Sequence, residues 1–299
     1  MLPNAIIIGA QKCATTSLHW YLNEHPDIEA ARRKPLGFFV SKENHSIGTL
    51  PHTWHRGVDW YAHQCPDRGK VRLESSPDYT NYPHYRGVPE RMHSVVPDAR
   101  LIYIVRNPIE RLISHYVHNF AGNIEHQPIE KALAQLEDTP YVSRGRYHMQ
   151  LEQMLAYFDL SQILIITQED LFSQRRVTLG RVFRFLDVEE GFWCKEFDTV
   201  RHRSAIKRRN NSLGMAIGRF GGNRIFRHLH GRQRYLFNKI VYTPFSSPVV
   251  RPGLSASMYA RLADIFTHDL ERLTSLTGQA FEQLLSATQE SVAEIKSVT

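Results

Sequence analysis

The chain has 299 residues, and 42% of them are hydrophobic, which is enough for a sizeable globular core. Charged residues make up 22%, and Gly and Pro are at ordinary levels, which excludes global disorder. The formal net charge of +7 favours anionic partners, such as nucleotides, nucleic acids, acidic polysaccharides or anionic lipids. Because no RNA- or DNA-binding motif stands out, nucleic acid is not an expected partner.

The cysteines and the apolar runs indicate the class of protein. Cys13, Cys65 and Cys194 are scattered and form no C-x-x-C pair, which argues against a disulfide scaffold or structural zinc. No run approaches the ~18 apolar residues of a membrane span. The first residues also lack the basic and apolar regions of a signal peptide. We therefore expect a soluble, cytoplasmic protein. Its oligomeric state stays open between a monomer and a homodimer.

The first element is a strand, a glycine loop and a helix. Residues 6–8 are three isoleucines that run into Gly9 and predict a buried parallel strand. Residues 15–22 then have helical spacing. This geometry directs backbone N–H groups and the positive end of a helix dipole at one place, which suits a phosphate. Lys12 adds a full positive charge. Three hydroxyl side chains follow it: Thr15, Thr16 and Ser17.

The loop differs from the ATP-binding pattern G-x-x-x-x-G-K-[ST], because the second glycine is missing and Lys12 lies three residues before Thr15. A P-loop NTPase also needs an Asp at a strand end to help hold Mg²⁺. The second clear strand, residues 101–105, ends instead in Arg106, which repels a metal and attracts a phosphate. The two motifs predict a ligand with two separated anionic groups and no metal. A Mg²⁺-dependent kinase is the competing enzyme class.

The same residues resemble a known family. Residues 9–17 are similar to the 5′-phosphosulfate loop of sulfotransferases that use 3′-phosphoadenosine 5′-phosphosulfate (PAPS). Residues 105–108, followed by Arg111 and Ser114, resemble the 3′-phosphate motif of these enzymes. The similarity is closest to bacterial carbohydrate-type sulfotransferases and to heparan sulfate sulfotransferase domains, and it extends over about residues 5–186. Because the two motifs occur in order, about ninety residues apart, the resemblance is specific.

The resemblance implies an α/β fold of the P-loop-like, three-layer type, with a central parallel sheet flanked by helices. We expect a single domain over residues 1–299. Within it, the PAPS-binding core covers about 5–187, and a basic loop with an acceptor-side region covers about 195–254. A C-terminal amphipathic helix covers about 255–276, and Ser255 is its expected N-cap.

The resemblance also implies a set of PAPS-binding residues. The phosphate loop contributes Gly9, Gln11, Lys12, Cys13, Ala14, Thr15, Thr16 and Ser17. Arg106 and Ser114 are expected to hold the 3′-phosphate, which distinguishes PAPS from ATP. Gly145 and Tyr147 match a motif near the adenosine. Lys207 and Arg208 match a basic loop over the 3′-phosphate, although a solvated loop or a polyanion-docking surface would have the same composition.

The acceptor side departs from the family at two positions. Relatives read Lys-Glu-x-x-Phe-Phe, and the Glu is the proposed base on the acceptor hydroxyl. Here Pro35 stands at that Glu and cannot take a proton, although the flanking residues of the motif match: Lys34, Phe38 and Phe39. Relatives also read Glu-Lys-Ser-Pro-x-Tyr, and here Ser75 replaces the lysine.

Another residue must therefore accept the proton of the acceptor hydroxyl. Glu74 is the first choice, because it ends a predicted strand at the edge of the sheet where ligands bind in α/β folds. Its alternative role is a structural ion pair with a basic neighbour such as Lys12. His45 and Glu43 are the other candidate bases. The expected acceptor-binding residues are Lys34, Phe38, Phe39, His45 and Tyr79.

The sequence thus predicts an enzyme with catalytic residues Lys12 and Glu74. It would transfer the sulfuryl group from PAPS to a hydroxyl of a carbohydrate or small metabolite, in line and without a metal. The alternative is a non-catalytic protein that binds PAP, PAPS or a polyanion, and Pro35 and Ser75 are the residues that support it. Binding without turnover across a panel of acceptors would favour that alternative.

Overall fold

The computed structural model describes residues 1–41, 43, 52–67, 69–137, 139–198, 207–217, 240, 243–281 and 283–285. Its centre is a five-stranded sheet. The strands of this sheet are β1 (Ala5–Gly9), β2 (Ile28–Ala30), β3 (Val71–Ser75), β4 (Arg100–Val105) and β5 (Ile163–Thr167). A separate antiparallel pair is formed by β6 (Arg208–Asn210) and β7 (Ser246–Pro248).

The five strands are ordered β2-β3-β1-β4-β5, and every pairing between neighbours is parallel. β1 lies in the middle, where Ala5 is in register with Leu73 on one side and with Arg100 on the other. All five residues of β1 are buried. The unbroken isoleucine run therefore reflects a strand that is covered on both faces.

Helices connect and cover these strands. They are α1 (Thr15–Asn23), α2 (Gly57–Gln64), α3 (Val88–Val95), α4 (Pro108–Ala121), α5 (Ile129–Ala132), α6 (Pro140–Ser143), α7 (Tyr147–Leu155), α8 (Gln168–Ser173), α9 (Arg175–Leu186), α10 (Ser212–Ile217) and α11 (Ala256–Thr277). Among the helices of the described residues, none combines the length and the apolar character that a membrane span requires.

Buried apolar side chains form two clusters. The larger one surrounds the sheet and contains the inward residues of β1, β3, β4 and β5. The smaller one joins α4 and α6 to α11, through residues such as Leu112, Val142, Leu262 and Phe266. α11 therefore anchors the C-terminal part of the described chain against the helix that follows β4.

The termini of α11 agree with the sequence. The hydroxyl of Ser255 accepts a hydrogen bond from the backbone N–H of Met258 at 3.3 Å, which satisfies one free donor of the first turn. Gly278 ends the helix with a φ of 70°, a left-handed conformation that glycine adopts without strain. The predicted capped helix at residues 255–276 is thus confirmed.

The predicted central parallel sheet flanked by helices is confirmed, and one helix is shorter than predicted. The spacing of apolar residues predicts one amphipathic helix over residues 129–136, but α5 ends at Ala132. The amide of Ala134 bonds to the carbonyl of Lys131, which closes a tighter turn. Leu133 and Leu136 are nevertheless buried, so the predicted apolar face is kept without the helix. The sequence also favours a helix at residues 225–241, and all of these except Ile240 lie outside the described residues.

Candidate active site

The loop that leaves β1 is pressed against the segment that follows β3. A Cβ atom added to Gly9 would lie 2.0 Å from the Oγ1 of Thr80 and 3.0 Å from the ring of Tyr103. The next residue is tied to the sheet, because the N–H of Ala10 donates to the carbonyl of Ile104 at 2.8 Å. Only glycine permits this approach, so Gly9 fixes where the loop begins.

The loop itself has a strained backbone. Lys12 and Ala14 have φ angles of 75° and 62°, in the left-handed region that residues with a Cβ rarely adopt. Ala14 is also the N-cap of α1, so the loop coils directly in front of that helix. Residues held in such conformations cost free energy and cluster at ligand sites. The hydroxyl residues Thr15, Thr16 and Ser17 form the first turn of α1.

Two further loop residues have buried side-chain atoms. The Oε1 atom of Gln11 has no hydrogen-bond partner among the described residues, although it is shielded from solvent. The thiol of Cys13 is fully buried and lies 3.7 Å from the hydroxyl of Tyr147. Burial raises the pKa of Cys13 to about 11, so it remains a neutral thiol at neutral pH.

Lys12 lies in a group of cations. Burial lowers the pKa of Lys12, and the neighbouring Arg106 contributes to the shift. The side chain of Lys207 lies within hydrogen-bonding range of Lys12, and burial, followed by the charge of Lys12, lowers the pKa of Lys207 to about 7. Lys207 Nζ is also 2.7 Å from Nδ1 of His118. Like charges that are held this close together make the position a strong attractor for an anion.

Arg106 connects the two predicted phosphate motifs. It follows β4, and its Nη1 donates to the carbonyl of Lys12 at 3.3 Å. Its Nη2 is 3.4 Å from the carboxylate of Glu110, whereas its buried Nε has no partner among the described residues. Ser114 lies two turns along α4 and is half-buried. Asn107 caps this helix through a 3.0 Å hydrogen bond from Glu110 N.

Gly145 and Tyr147 are packing residues next to the two phosphate motifs. Tyr147 is fully buried, and its hydroxyl donates to the carbonyl of Arg106 at 2.9 Å. A Cβ on Gly145 would lie 2.9 Å from the ring of Phe266, so this glycine permits the close approach of α11. A contact of either residue with adenosine stays a prediction. Tyr147 also links the two motifs, because it contacts Cys13 as well as Arg106.

The two predicted basic residues of the 3′-phosphate loop differ in their surroundings. Lys207 reaches Lys12 and His118, as described above. The guanidinium of Arg208 instead donates to the hydroxyl of Ser246 at 2.9 Å and to the carbonyl of Thr243 at 3.2 Å. The hydrogen bonds of Arg208 thus hold the β6–β7 pair together.

Glu74 is buried at the end of β3. It has no exposed surface, and its Oε1 accepts a 2.5 Å hydrogen bond from the hydroxyl of Ser76. Its buried Oε2 has no partner within hydrogen-bond distance among the described residues. The hydroxyls of Tyr61 and Tyr79 are nevertheless close enough to the carboxyl group to influence its pKa. Burial raises the pKa of Glu74 to about 7, and the charge of Lys34 opposes part of that shift.

The basic neighbour whose charge acts on Glu74 is therefore Lys34, and not Lys12, the example that the sequence analysis gave. Lys34 Nζ donates to the carbonyl of Thr15 at 2.8 Å, which links it to the first turn of α1. Burial lowers the pKa of Lys34 to about 7, and Glu74 partly compensates. The closeness of Lys34 to Glu74 could not be deduced from spacing, because the two residues are 74 − 34 = 40 positions apart.

The predicted acceptor aromatics lie in the core. Phe38 and Phe39 have no exposed surface, and the ring of Phe38 stacks on Tyr61 with 4.0 Å between centroids. The hydroxyl of Tyr79 accepts from Phe38 N at 3.0 Å. As they stand, these rings pack around the buried carboxyl group and present no face to solvent. His45 lies outside the described residues, and the alternative base Glu43 is exposed.

Two histidines were missed by the sequence analysis. His118 lies four residues after Ser114, a spacing that places both on one helical face and could have revealed it. His19 Nδ1 is 2.8 Å from the hydroxyl of Ser75, the position at which the family lysine is replaced. Burial, with a contribution from Lys34, lowers the pKa of His19 to about 3, so its imidazole is neutral.

The family model described as "Sulfotransferase domain" matches residues 2–213, well over half of the 299 residues. The chain belongs to the sulfotransferase family. This sulfotransferase is 32% identical over 208 residues to heparan sulfate glucosamine 3-O-sulfotransferase 6 of Homo sapiens, covering 65% of this chain and 55% of that protein. It is 31% identical over 205 residues to heparan sulfate glucosamine 3-O-sulfotransferase 3B1 of Mus musculus, and the match covers 66% of this chain and 49% of that protein. The chain spans about half the length of these curated relatives.

Solved structures show the same fold. The sulfotransferase from Alicyclobacillus acidocaldarius matches with a TM-score of 0.66 at 22% identity, over 95% of this chain and 99% of that one. Mouse sulfotransferase SULT7A1, solved in complex with PAP, matches with a TM-score of 0.52 at 12% identity, over 97% and 89%. Within the described residues of this sulfotransferase, no group of three or more His, Cys, Asp and Glu is placed to hold a metal ion.

Proposed function

We propose that this sulfotransferase transfers the sulfuryl group of PAPS to a hydroxyl of a carbohydrate or small-metabolite acceptor. The observation that carries the proposal is the junction of its two anion-binding motifs. The strained loop at Lys12 and the strand end at Arg106 meet through a direct hydrogen bond, with Lys207 facing Lys12. Two cationic positions joined in this way fit a nucleotide with separate 5′ and 3′ anionic groups.

The residues of the site fit PAPS. The buried Nε of Arg106 and Oε1 of Gln11 have no partner among the described residues, so each has hydrogen-bonding capacity to offer a ligand. The N–H groups in front of α1 would hold the 5′-phosphate, together with Thr15 and Thr16. Arg106 and Ser114 would hold the 3′-phosphate. Mouse SULT7A1, which has the same fold, was solved in complex with PAP, and this supports PAPS as the donor to test first.

The reaction requires charge stabilisation and a base. PAPS supplies an activated sulfuryl group: the acceptor oxygen bonds to sulfur, the bond from sulfur to the bridging phosphate oxygen breaks, and PAP leaves. Lys12 neutralises the charge that develops on the departing phosphate, and Lys207 adds a second cation opposite it. These roles need no metal, because the protein's own cations supply the charge.

We assign the proton of the acceptor hydroxyl to the pair of Lys34 and Glu74. Burial brings the pKa of Lys34 and that of Glu74 to about 7, which suits proton transfer near neutral pH. Glu74 has no exposed surface, whereas Lys34 is half-buried, so Lys34 is the member of the pair with surface to offer an acceptor. Pro35, which stands where relatives carry the acidic base, leaves this pair as the local proton acceptor.

The acceptor class is inferred from the named relatives, which sulfate a glucosamine hydroxyl of heparan sulfate. A sugar hydroxyl is therefore the first acceptor to test. We further propose a cytoplasmic location, because Cys13, Cys65 and Cys194 are all free thiols, as expected in a reducing compartment.

The first experiment is a thermal-shift titration with PAP, ADP and Mg-ATP. A ligand that binds only the native state raises the melting temperature by mass action. PAP should stabilise the protein without Mg²⁺, and ADP, which lacks the 3′-phosphate, should do so much less. Release of PAP from PAPS is then measured with heparan sulfate, neutral oligosaccharides and small alcohols as acceptors.

Three results would contradict parts of the proposal. Stronger stabilisation by Mg-ATP than by PAP would mean that the site is not built for two separated phosphates. No stabilisation by any of the three nucleotides would remove the nucleotide site altogether. Binding of PAP without turnover on the whole acceptor panel would favour the non-catalytic alternative.

A further inference from the structure

A buried cluster that includes a residue of α4 has more positive than negative side chains. Arg111, Arg144 and Asp78 are all shielded from solvent, and Arg111 has no exposed surface. Arg144 forms an ion pair with Asp78 and donates to the Oδ1 of Asn81 at 2.6 Å. The charge of Arg111 also acts on Asp78. One carboxylate therefore serves two guanidinium groups.

Arg111 is incompletely bonded in this cluster. Its Nη2 donates to the backbone carbonyl of Tyr141. Its Nε and Nη1 are buried and have no hydrogen-bond partner among the described residues. A buried cation without a full set of partners is costly, because it has lost its water and gained little in return.

The packing around Arg111 determines which residues its excess positive charge acts on. Arg111 lies next to Gly145, since a Cβ there would be 3.4 Å from its Nε. Its charge acts on Lys12 and Cys13 of the phosphate loop and on Tyr147, which joins that loop to Arg106. The uncompensated guanidinium thus lies beside Gly145, two residues before Tyr147, whose hydroxyl contacts both Cys13 and Arg106 of the two phosphate motifs. A charge in that low-dielectric position acts on an anion with little screening.

We propose that Arg111 is a buried electrostatic anchor for the nucleotide: the phosphates of bound PAP or PAPS act as the missing counter-ion of the Arg111–Arg144–Asp78 cluster. This inference rests on the proposed function. Arg111 is a positioning residue, because its side chain does not reach the surface. It contributes through its charge, across the loop, and not through a hydrogen bond to the ligand.

The test compares variants that change charge with variants that keep it. R111Q removes the charge and keeps a donor for the Tyr141 carbonyl, and R111K keeps the charge. The matched control is R175Q, because Arg175 also donates to a backbone carbonyl, that of Phe197, and also has a buried Nε without a partner among the described residues. Calorimetry gives the dissociation constants of PAP and of adenosine 5′-monophosphate, and the melting temperature of the free protein.

R111Q should bind PAP about tenfold or more weakly, whereas R111K and R175Q should stay within about threefold of the unsubstituted protein. The loss for adenosine 5′-monophosphate should be smaller, because it carries fewer charges. The free R111Q protein should melt no lower than R175Q, since removal of an uncompensated cation relieves a cost.

Equal weakening by R111Q and R111K would overturn the inference, because packing and not charge would then matter. Binding of PAP by R111Q at the unsubstituted affinity would also overturn it. If R111Q does not fold, D78N provides the opposite change: it increases the excess positive charge, so PAP should raise its melting temperature by more than it raises that of the unsubstituted protein. A smaller rise would overturn the inference. Absence of PAP binding by the unsubstituted protein would instead refute the proposed function.

Discussion

The contact between Gly9 and Thr80 gives a prediction with a magnitude that the structure sets. Gly9→Ala would place a Cβ 2.0 Å from Thr80 Oγ1, 3.1 Å from Thr80 Cβ and 3.0 Å from the ring of Tyr103. Both neighbours are buried in the core, so neither can move freely. Overpacking of a dense core costs about 1–3 kcal/mol, and we expect Gly9→Ala at the upper end, about 3 kcal/mol.

Thr80→Ala separates this overlap from other effects of the substitution. Alone, it removes a long hydrogen bond of 3.4 Å to the carbonyl of Ile8, and we expect a cost of about 1 kcal/mol. In the double variant, the nearest remaining atom of residue 80 is its Cβ at 3.1 Å, so the overlap is mostly relieved. The two changes should therefore be non-additive, with about 1–2 kcal/mol of favourable coupling.

The assay is urea unfolding of the unsubstituted protein, the two single variants and the double variant. Gly253→Ala is the control, because a Cβ there meets nothing within 4 Å, and its effect should be below about 0.5 kcal/mol. The reasoning is refuted if Gly9→Ala unfolds like Gly253→Ala. It is also refuted if Thr80→Ala adds its full cost to that of Gly9→Ala.

Three further substitutions test the chemistry and the electrostatics. Lys12→Ala should lower turnover by about 100-fold or more and PAP affinity much less, because its charge acts mainly on the leaving phosphate; unchanged turnover would contradict this. Glu74→Gln should lower turnover by about 100-fold with PAP affinity kept, and near-normal turnover would exclude its role as a base. The folded-state pKa of His19, about 3, lies below its unfolded value, so the unfolded chain takes up this proton first, and stability is lost as pH falls from about 6.5 towards 3. Chemical unfolding at pH 6.5 and at pH 5 gives the free energy of unfolding lost between the two pH values, and this loss should be about 2 kcal/mol smaller in His19→Gln than in the unsubstituted protein. An identical pH dependence of the two proteins would contradict the assignment.

The elements that carry the donor site were predictable because their signals are local. The isoleucine run before Gly9 gave β1, and the helical spacing after Lys12 gave α1 to within one residue. The strand before Arg106 was likewise found. The helix after it begins at Pro108, which is also a local signal, because a proline fits the first turn of a helix.

The acceptor side was less predictable, because its arrangement depends on contacts between distant residues. Aromatic residues are used equally for stacking on ligands and for filling cores, so the sequence could not reveal that Phe38 would pack on Tyr61. The sequence also could not show that the cation acting on Glu74 is Lys34. The pairing of His118 with Lys207 joins residues 89 positions apart, and no spacing rule covers such a distance.

The central position of β1 also affects how the protein is made. Its partners in β3 and β4 follow Ala5 by 73 − 5 = 68 and 100 − 5 = 95 residues. At a synthesis rate of about 5–20 residues per second, the isoleucine run waits several seconds before either neighbour exists. A short, uncharged β-branched segment that is exposed for so long is prone to intermolecular pairing. The strand that positions the phosphate loop is therefore a segment that chaperones or slow, cool expression would need to protect.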